Sequence, residues 1–288
     1  MSSISVKHYF SLVKFSHTVF ALPFAVIGFF LGVAHLGSTP NWTLFLKVVL
    51  CMVFARSAAM GFNRYIDRRF DEKNARTAVR EIPAGIISPQ AALSFVILMS
   101  GLFMLTTWFI NPLCFYLSPV ALSVILGYSL TKRFTWLCHI VLGLGLSLAP
   151  IGAFLAVTGE FELLPLFFSF AVLFWTAGFD IIYALQDEEF DRSEELFSIP
   201  VWLGTKKALL LSSVLHVFTA LFIAGAGLLG NFGLFYWMGA AVFLALLVYQ
   251  HSIVKHDDLS RVNLAFGTTN GIASVLFAVF FLTGYFLG

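Results

Sequence analysis

The chain has 288 residues, of which 59% are hydrophobic and only 11% are charged, and its formal net charge is +2. Soluble globular domains usually carry about 25% charged residues, so this composition excludes an ordinary soluble domain and indicates an integral membrane protein. The net charge says little about partners; we expect the lipid bilayer as a partner and no nucleic acid.

Apolar runs long enough to cross a bilayer recur along the whole chain. A spanning helix needs about 20 mostly apolar residues, and a β-barrel would instead show short alternating runs. The sequence therefore predicts an all-α membrane bundle of nine transmembrane helices around a central cavity, as a single domain over residues 1–288. The predicted spans are roughly 17–36, 42–66, 90–110, 113–130, 135–158, 163–187, 206–229, 232–250 and 266–287.

Positive charges predict the orientation of this bundle. All Lys and Arg residues except Lys47 and Arg56 fall at one face when the nine spans are threaded through a membrane. Loops rich in Lys and Arg stay on the cytoplasmic side, which predicts a cytoplasmic N-terminus. We expect the protein in the bacterial cytoplasmic membrane.

Two long connections, about 67–89 and 188–205, lie on that same predicted cytoplasmic face. Every other connection is short, and long loops in a compact bundle are commonly functional or disordered. Each of the two begins with a cluster of acidic residues. We therefore expect both loops to cap a site at this face.

The first acidic cluster is "FNRYIDRRFDEKN", residues 62–74, which places Asn63, Asp67 and Asp71 four residues apart. Residues at this spacing on a helix are rotated by only about 40°, so they form one polar stripe. The C-terminal end of a helix is partly negative, and carboxylates stacked there are unfavourable unless cations neutralise them.

The second cluster, "DIIYALQDEEFD", closes the sixth predicted span and places Asp187 and Asp191 at the same spacing, with Asp180 and Tyr183 on nearly the same stripe. Both spans run in the same direction, so both stripes meet one membrane face. Two acidic stripes would repel each other without a cation between them, and oxygen ligands without histidine suggest Mg²⁺ shared with substrate phosphates. The alternative is a pair of solvated helix ends whose acids pair with nearby arginines.

Basic residues near the acids could hold a diphosphate. Arg64 and Arg68 are offset about 100° from the first stripe, where they could bind phosphate or extend to lipid headgroups. In "GYSLTKRF", Tyr128 and Lys132 are four apart and Arg133 follows, at the inner end of the fourth span. Carboxylates for Mg²⁺ together with Lys and Arg for phosphate oxygens suit a bound diphosphate.

Arg56 lies inside a predicted span, seven residues before Asn63 and about 10 Å deeper along the same helical face. An intramembrane charge costs at least about 2.5–3.5 kcal/mol on insertion scales and suggests a function. Arg56 either binds an anionic group of a second, deeper substrate or pairs structurally with an acid such as Asp180.

These features predict a Mg-bound diphosphate at the mouth of an apolar cavity, and a diphosphate whose carrier group suits such a cavity is a polyprenyl diphosphate. Its ionisation leaves an allylic cation that aromatic faces can stabilise and that an electron-rich acceptor attacks. Water must be excluded, because it would capture the cation.

At these residues the sequence resembles the UbiA superfamily of intramembrane prenyltransferases, and in detail its 4-hydroxybenzoate polyprenyltransferase members, including the branch associated with menaquinone. The resemblance implies Mg²⁺, a polyprenyl diphosphate donor and a small aromatic acid acceptor in respiratory quinone synthesis. Its motifs match Asn63, Asp67 and Asp71; Asp180, Tyr183, Asp187 and Asp191; Tyr128 and Lys132; and Arg56. The metal ligands implied are Asn63, Asp67, Asp71, Asp187 and Asp191, which would also be the catalytic residues, and Arg56 would face the acceptor carboxylate.

The sequence departs from many relatives directly after the first motif, where they carry Asn-Arg-Pro-Leu. Here "TAVREIPAG" follows Asn74, Ala75 and Arg76, so that either Arg76 or Arg80 is the counterpart of the relatives' arginine. Other acceptors remain open, namely a naphthoate precursor of menaquinone or haem. Rivals of a different class are a transporter, which would carry charges near mid-membrane in several spans, and a quinone-binding protein.

Overall fold

The structure, a computed structural model, describes residues 6–12 and 20–287. Within these ranges the chain is helical, with an isolated bridge between Lys255 and Asp258 and no strand. The all-α prediction is confirmed. The helices are α1 (Val6–Leu12), α2 (Leu22–His35), α3 (Trp42–Lys73), α4 (Pro89–Trp108), α5 (Pro112–Thr131), α6 (Cys138–Thr158), α7 (Leu163–Ala184), α8 (Glu188–Ser193), α9 (Ile199–Leu203), α10 (Thr205–Leu229), α11 (Leu234–Ile253) and α12 (Asn270–Leu287).

Eight helical segments in the described chain are long and apolar enough to cross a membrane, and α2 is a shorter apolar helix of 14 residues. The chain is therefore an integral membrane protein. The predicted first span, 17–36, begins among residues that lie outside the described ones. Lys14 also lies outside the described residues. The count of nine spans and the cytoplasmic side stay predictions.

Helix α3 runs further than predicted. It begins at Trp42, where the Asn41 side chain accepts the Leu44 N–H, and continues for 32 residues to Lys73. At 1.5 Å per residue this is about 48 Å, which exceeds the roughly 30 Å thickness of the hydrocarbon layer. The first connection therefore begins at residue 74 rather than 67, and Asp67 and Asp71 remain on the helix.

The second acidic segment is less regular than predicted. Helix α7 ends at Ala184, a 3₁₀ turn covers Leu185–Asp187, and α8 follows. A 3₁₀ turn has three residues per turn, so it rotates the chain relative to an α-helix and divides the expected single stripe. The connection 188–205 is largely helical, and its second helix, α9, starts where the Ser198 hydroxyl accepts the Val201 N–H.

An aromatic core behind the site fixes α2, α7, α11 and α12 against one another. Trp175 on α7 is fully buried, packs on Phe24 and Phe243, and donates its indole N–H to the Asn270 side-chain oxygen at 2.9 Å. Asn270 closes the π-helical turn Leu264–Thr269, a kind of turn that occurs frequently at functional sites. This turn sets Phe266 against the Tyr183 ring, with centroids 4.1 Å apart.

The short helix α1 packs on the connection between α3 and α4. Leu12 joins Ile82 and Ile87 in a small apolar cluster, and the Ser11 hydroxyl donates to Glu81. This connection carries Arg76 and Arg80, so α1 supports the segment that covers the acidic end of the bundle.

Candidate active site

Asp67 is held by residues of α3 and by the segment after α5. The Asn63 amide donates to one carboxylate oxygen at 2.8 Å, and Arg133 donates to the other at 2.8 Å. Arg133 also donates to the carbonyls of Ser129 and Ile66, at 2.8 and 3.2 Å. Its guanidinium therefore joins the inner ends of α3 and α5 at the first motif.

Asp71 is buried and pairs with Arg80, whose Nη1 lies 2.6 Å from Oδ1. The Thr77 hydroxyl donates to the Asp71 carbonyl at 3.0 Å and so holds the start of the connection against the helix end. The second carboxylate oxygen, Oδ2, is buried without a hydrogen-bond partner. The first motif thus keeps one open acceptor position.

Asp187 in the second motif is paired with Arg76. The Arg76 Nε and Nη2 atoms lie 3.2 and 2.6 Å from the two carboxylate oxygens, and Nη1 donates to the Tyr183 hydroxyl at 2.9 Å. Asn74 adds an amide donor at 3.3 Å. Partial burial opposes the Arg76 charge, but Asp187 and Tyr183 outweigh it and raise the pKa of the guanidinium. Arg76 therefore pairs with an acid of the second motif, and Arg80 pairs with an acid of the first.

Asp191 is 1% exposed, and the Lys132 Nζ lies 2.7 Å from its Oδ1. Burial disfavours the Lys132 ammonium, but the charge of Asp191 outweighs burial and raises the Lys132 pKa. The Lys132 carbonyl accepts the Phe197 N–H at 2.7 Å, which ties the end of α5 to the segment before α9.

Each acid of the two motifs thus has a basic partner from another segment. In the part of the chain that the structure describes, no three of the site's carboxylates bring oxygen atoms within 4.8 Å of one another. The buried Oδ2 of Asp71 nevertheless lacks a hydrogen-bond partner and can accept a ligand. An all-oxygen donor set with open positions fits Mg²⁺, which takes few protein carboxylates and completes its shell with water and phosphate.

An apolar cavity of about 330 Å³ extends between α3, α4, α5 and α6. Arg56 and Tyr128 line its polar end, and Thr107, Cys114 and Phe161 line it further along these helices. The Arg56 Nε is buried without a hydrogen-bond partner. The structural pair with Asp180 is not formed, so Arg56 remains available to an anionic ligand.

The two remaining arginines of the sequence prediction differ in their surroundings. Arg64 is buried, and its charged neighbours are Arg80, Asp71 and Glu81. Arg68 instead donates to the Tyr65 carbonyl at 2.6 Å and lies over the Tyr65 ring, 4.5 Å from its centroid. Arg64 therefore belongs to the site, whereas the contacts of Arg68 are with its own helix.

His139 is the site residue that sequence reasoning missed, because a single histidine without metal-ligand spacing reads as structural. Its Nδ1 lies 2.7 Å from Asp180 Oδ2, and its Nε2 accepts the Ile199 N–H at 3.3 Å. Its position could have indicated a role, because His139 lies in the first turn of α6, at the same end of the bundle as the two acidic motifs.

This arrangement, an acidic and basic cluster at the end of an apolar cavity in a helical membrane bundle, defines an intramembrane enzyme for an amphiphilic substrate. The sequence model of the UbiA prenyltransferase family matches residues 21–282. The chain belongs to this family, and it is a prenyltransferase. The predicted resemblance to this family is thereby confirmed.

Relatives and solved structures agree with the family. The chain is 32% identical to the 4-hydroxybenzoate octaprenyltransferase of Nitrosospira multiformis over 83% of this chain and 82% of that one. It is 26% identical to that of Vibrio parahaemolyticus over 96% and 97%. The apo structure of a UbiA homologue from Aeropyrum pernix superposes with a TM-score of 0.80 at 26% identity, covering 94% of this chain and 97% of that chain. A homologue from Archaeoglobus fulgidus, bound to DMAPP and Mg²⁺, gives 0.72 at 22% identity, with 97% and 99% covered.

Proposed function

We propose that the chain transfers a polyprenyl group from a polyprenyl diphosphate to a small aromatic acid of the 4-hydroxybenzoate type, with Mg²⁺, in respiratory quinone biosynthesis. The observation that carries the proposal is the apolar cavity that ends at the unpaired Arg56, beside the paired acids and bases. The relatives named 4-hydroxybenzoate octaprenyltransferase support the acceptor and the long-chain donor.

The acid–base pairs suit a diphosphate that arrives with its metal. Mg²⁺ held by the two motifs would neutralise the diphosphate as it leaves, and its ligands would be Asn63, Asp67, Asp71, Asp187 and Asp191. The cations that now pair with the acids would then be free for phosphate oxygens, where Arg offers two parallel hydrogen bonds. These cations are Arg76, Arg80, Lys132 and Arg133. Buried Arg64 adds positive charge beside Asp71.

The cavity suits the prenyl chain and the cation that its ionisation leaves. Its walls are almost entirely apolar, and such a lining disfavours the water that would otherwise capture the cation. Tyr128 and Phe103 place aromatic rings in the lining, and aromatic faces attract cations. The acceptor carboxylate would bind Arg56, which holds the ring beside the donor.

The function is tested with purified protein in lipid nanodiscs, geranyl diphosphate as donor and a panel of acceptors. We expect Mg²⁺-dependent formation of C-prenylated 4-hydroxybenzoate, detected by mass spectrometry. The panel includes a dihydroxynaphthoate, haem and phenol, which lacks the carboxylate. Preference for the naphthoate or haem would reassign the acceptor, and release of prenol alone would contradict transfer. Cytoplasmic access would be shown by activity of intact inverted vesicles with added water-soluble acceptor.

A further inference from the structure

Asp180 and His139 form a pair that lies apart from the four acid–base pairs. The ring nitrogen Nδ1 of His139 on α6 lies 2.7 Å from Oδ2 of Asp180 on α7, and the two side chains are 3% and 21% exposed. Asp180 is seven residues before Asp187, deeper along the second motif. Asp180 is outside the proposed set of metal ligands, and a buried imidazole holds its carboxylate.

The hydrogen bonds settle where the histidine proton lies. The Ile199 backbone N–H can only donate, so its contact with Nε2 at 3.3 Å requires a lone pair on that nitrogen. Nδ1 then carries a proton and donates it to Asp180 Oδ2. The hydrogen bond from Nδ1 gives the Asp180 carboxylate a fixed orientation.

The other Asp180 oxygen, Oδ1, is directed elsewhere. It has no hydrogen-bond partner among the described residues, and it is not fully buried. The charged neighbours of the Tyr128 phenol are Arg56, Asp67 and Asp180. Tyr128 and Arg56 line the polar end of the cavity. Asp180 therefore lies near Tyr128 at the polar end of the cavity, where the acceptor ring is proposed to bind.

We propose that Asp180 accepts the ring proton that the aromatic acceptor loses on prenylation, and that His139 is the positioning residue that orients it. This inference rests on the proposed function. The first carbon of the prenyl group bonds to a ring carbon as its bond to the diphosphate oxygen breaks, and the diphosphate leaves with that electron pair. The ring C–H electrons then restore aromaticity, and the proton moves to Asp180 Oδ1. It passes to water or to the released diphosphate as the products leave.

Two properties of the pair suit this step. A carboxylate held within reach of the ring can act as a general base, a role that typically contributes about 10²–10⁴-fold to the rate. Before the proton leaves, the ring carries a positive charge, which a fixed negative group in a site without water stabilises. His139 supports both the proton transfer and the charge stabilisation, because it occupies Oδ2 and leaves only Oδ1 for the acceptor.

The test compares 4-hydroxybenzoate with its ring-deuterated form, using geranyl diphosphate and Mg²⁺. In wild type we expect proton loss to be fast, with little effect of deuterium on kcat. In Asp180→Asn we expect kcat to fall by at least about a hundredfold and the isotope effect to rise, because proton loss becomes slow. In His139→Ala we expect kcat to fall by about tenfold, and we again expect a larger isotope effect. In His139→Gln the amide N–H can donate to Asp180, and we expect most of the rate to return.

The matched control is His216→Gln, which changes another buried histidine, bonded to the Trp175 carbonyl and to His251. It should keep the wild-type isotope effect even if it lowers stability. An unchanged isotope effect in Asp180→Asn contradicts the proton-accepting role whatever the rate. Equal losses in His139→Ala and His139→Gln, without a change in the isotope effect, contradict the positioning role. Wild type that forms no prenylated acid contradicts the proposed function itself, and this inference with it.

Discussion

Arg76 and Asp187 meet in a two-bond fork across the mouth of the site, with the Arg76 Nε and Nη2 atoms 3.2 and 2.6 Å from the carboxylate oxygens. The connection that follows α3 thus supplies the cation that pairs with Asp187, just beyond the end of α7. A third hydrogen bond from Arg76 reaches the Tyr183 hydroxyl at 2.9 Å. The second motif is therefore linked to the segment that follows the first motif.

This link predicts how substitutions at Arg76 affect the donor. Lysine offers one charge without the planar fork, so Arg76→Lys should raise the KM for the prenyl diphosphate by about tenfold and Arg76→Ala by more. Initial rates at saturating acceptor measure the effect. The control is Arg192→Ala, which removes an exposed arginine paired with Glu188 four residues earlier. Equal effects of Arg76→Ala and Arg192→Ala would show that Arg76 does not serve the donor.

Arg56 should instead govern the acceptor. Its Nε is buried without a partner at the polar end of the cavity, where a carboxylate can accept two hydrogen bonds from the guanidinium. Removing one partner of a buried charge pair costs about 3–5 kcal/mol, so Arg56→Ala should lower kcat/KM for 4-hydroxybenzoate by at least a factor of about 100. Arg56→Lys should retain part of the wild-type kcat/KM.

The donor KM should change little in both Arg56 variants. Phenol, which has no carboxylate, serves as the control acceptor and should react poorly with wild type and variants alike. A rise in donor KM alone would mean that Arg56 binds the diphosphate. If wild type prenylates phenol as well as 4-hydroxybenzoate, Arg56 does not bind the acceptor carboxylate.

The length of the cavity should limit the donor. Gly152 lines it, and a side chain added at this position meets nothing within 4 Å. Gly152→Leu should therefore place a side chain in the cavity without disturbing the backbone, and it should reduce kcat/KM more for longer prenyl diphosphates than for dimethylallyl diphosphate. The control is Gly101→Leu, which also has open space but lies outside the cavity lining. A uniform loss over all donor lengths would place the prenyl chain elsewhere.

The charge pattern predicts the sidedness of the bundle. In a variant without the native Cys51, Cys114 and Cys138, a cysteine in place of exposed Glu160 should react with a membrane-impermeant maleimide in intact cells. A cysteine in place of Lys73, which is 59% exposed, should react only after permeabilisation. The opposite labelling pattern would reverse the orientation and place the site on the outer face.

The helical framework could be predicted because it depends on local pattern. Apolar runs of span length marked the long helices, and the i, i+4 spacing of Asn63, Asp67 and Asp71 placed them on one side of α3, where the structure has them. Helix α3 continues beyond the predicted span end at residue 66, because hydropathy marks where a helix leaves the bilayer rather than where it ends. Hydrogen bonding continues along polar residues to Lys73.

The pairing inside the site could not be predicted, because it depends on tertiary contacts. The sequence left Arg76 and Arg80 as equal alternatives, since no periodicity relates a connection to a helix; the structure assigns one to each motif. His139 is 41 residues away from Asp180 in sequence, and only the packing of α6 on α7 brings them together. The 3₁₀ turn at Leu185–Asp187 likewise has no signal in the spacing of its acids.

The most direct test of the central claim measures diphosphate and prenylated acid together, in purified protein supplied with geranyl diphosphate and 4-hydroxybenzoate. With Mg²⁺ we expect wild type to form the two products in equal amounts, and we expect neither product with a chelator. Asp67→Asn and Asp187→Asn should lose both products while keeping the elution volume and helical circular dichroism of wild type. Full formation of prenylated acid by either variant, or in excess chelator, would contradict a metal-held diphosphate between the two motifs.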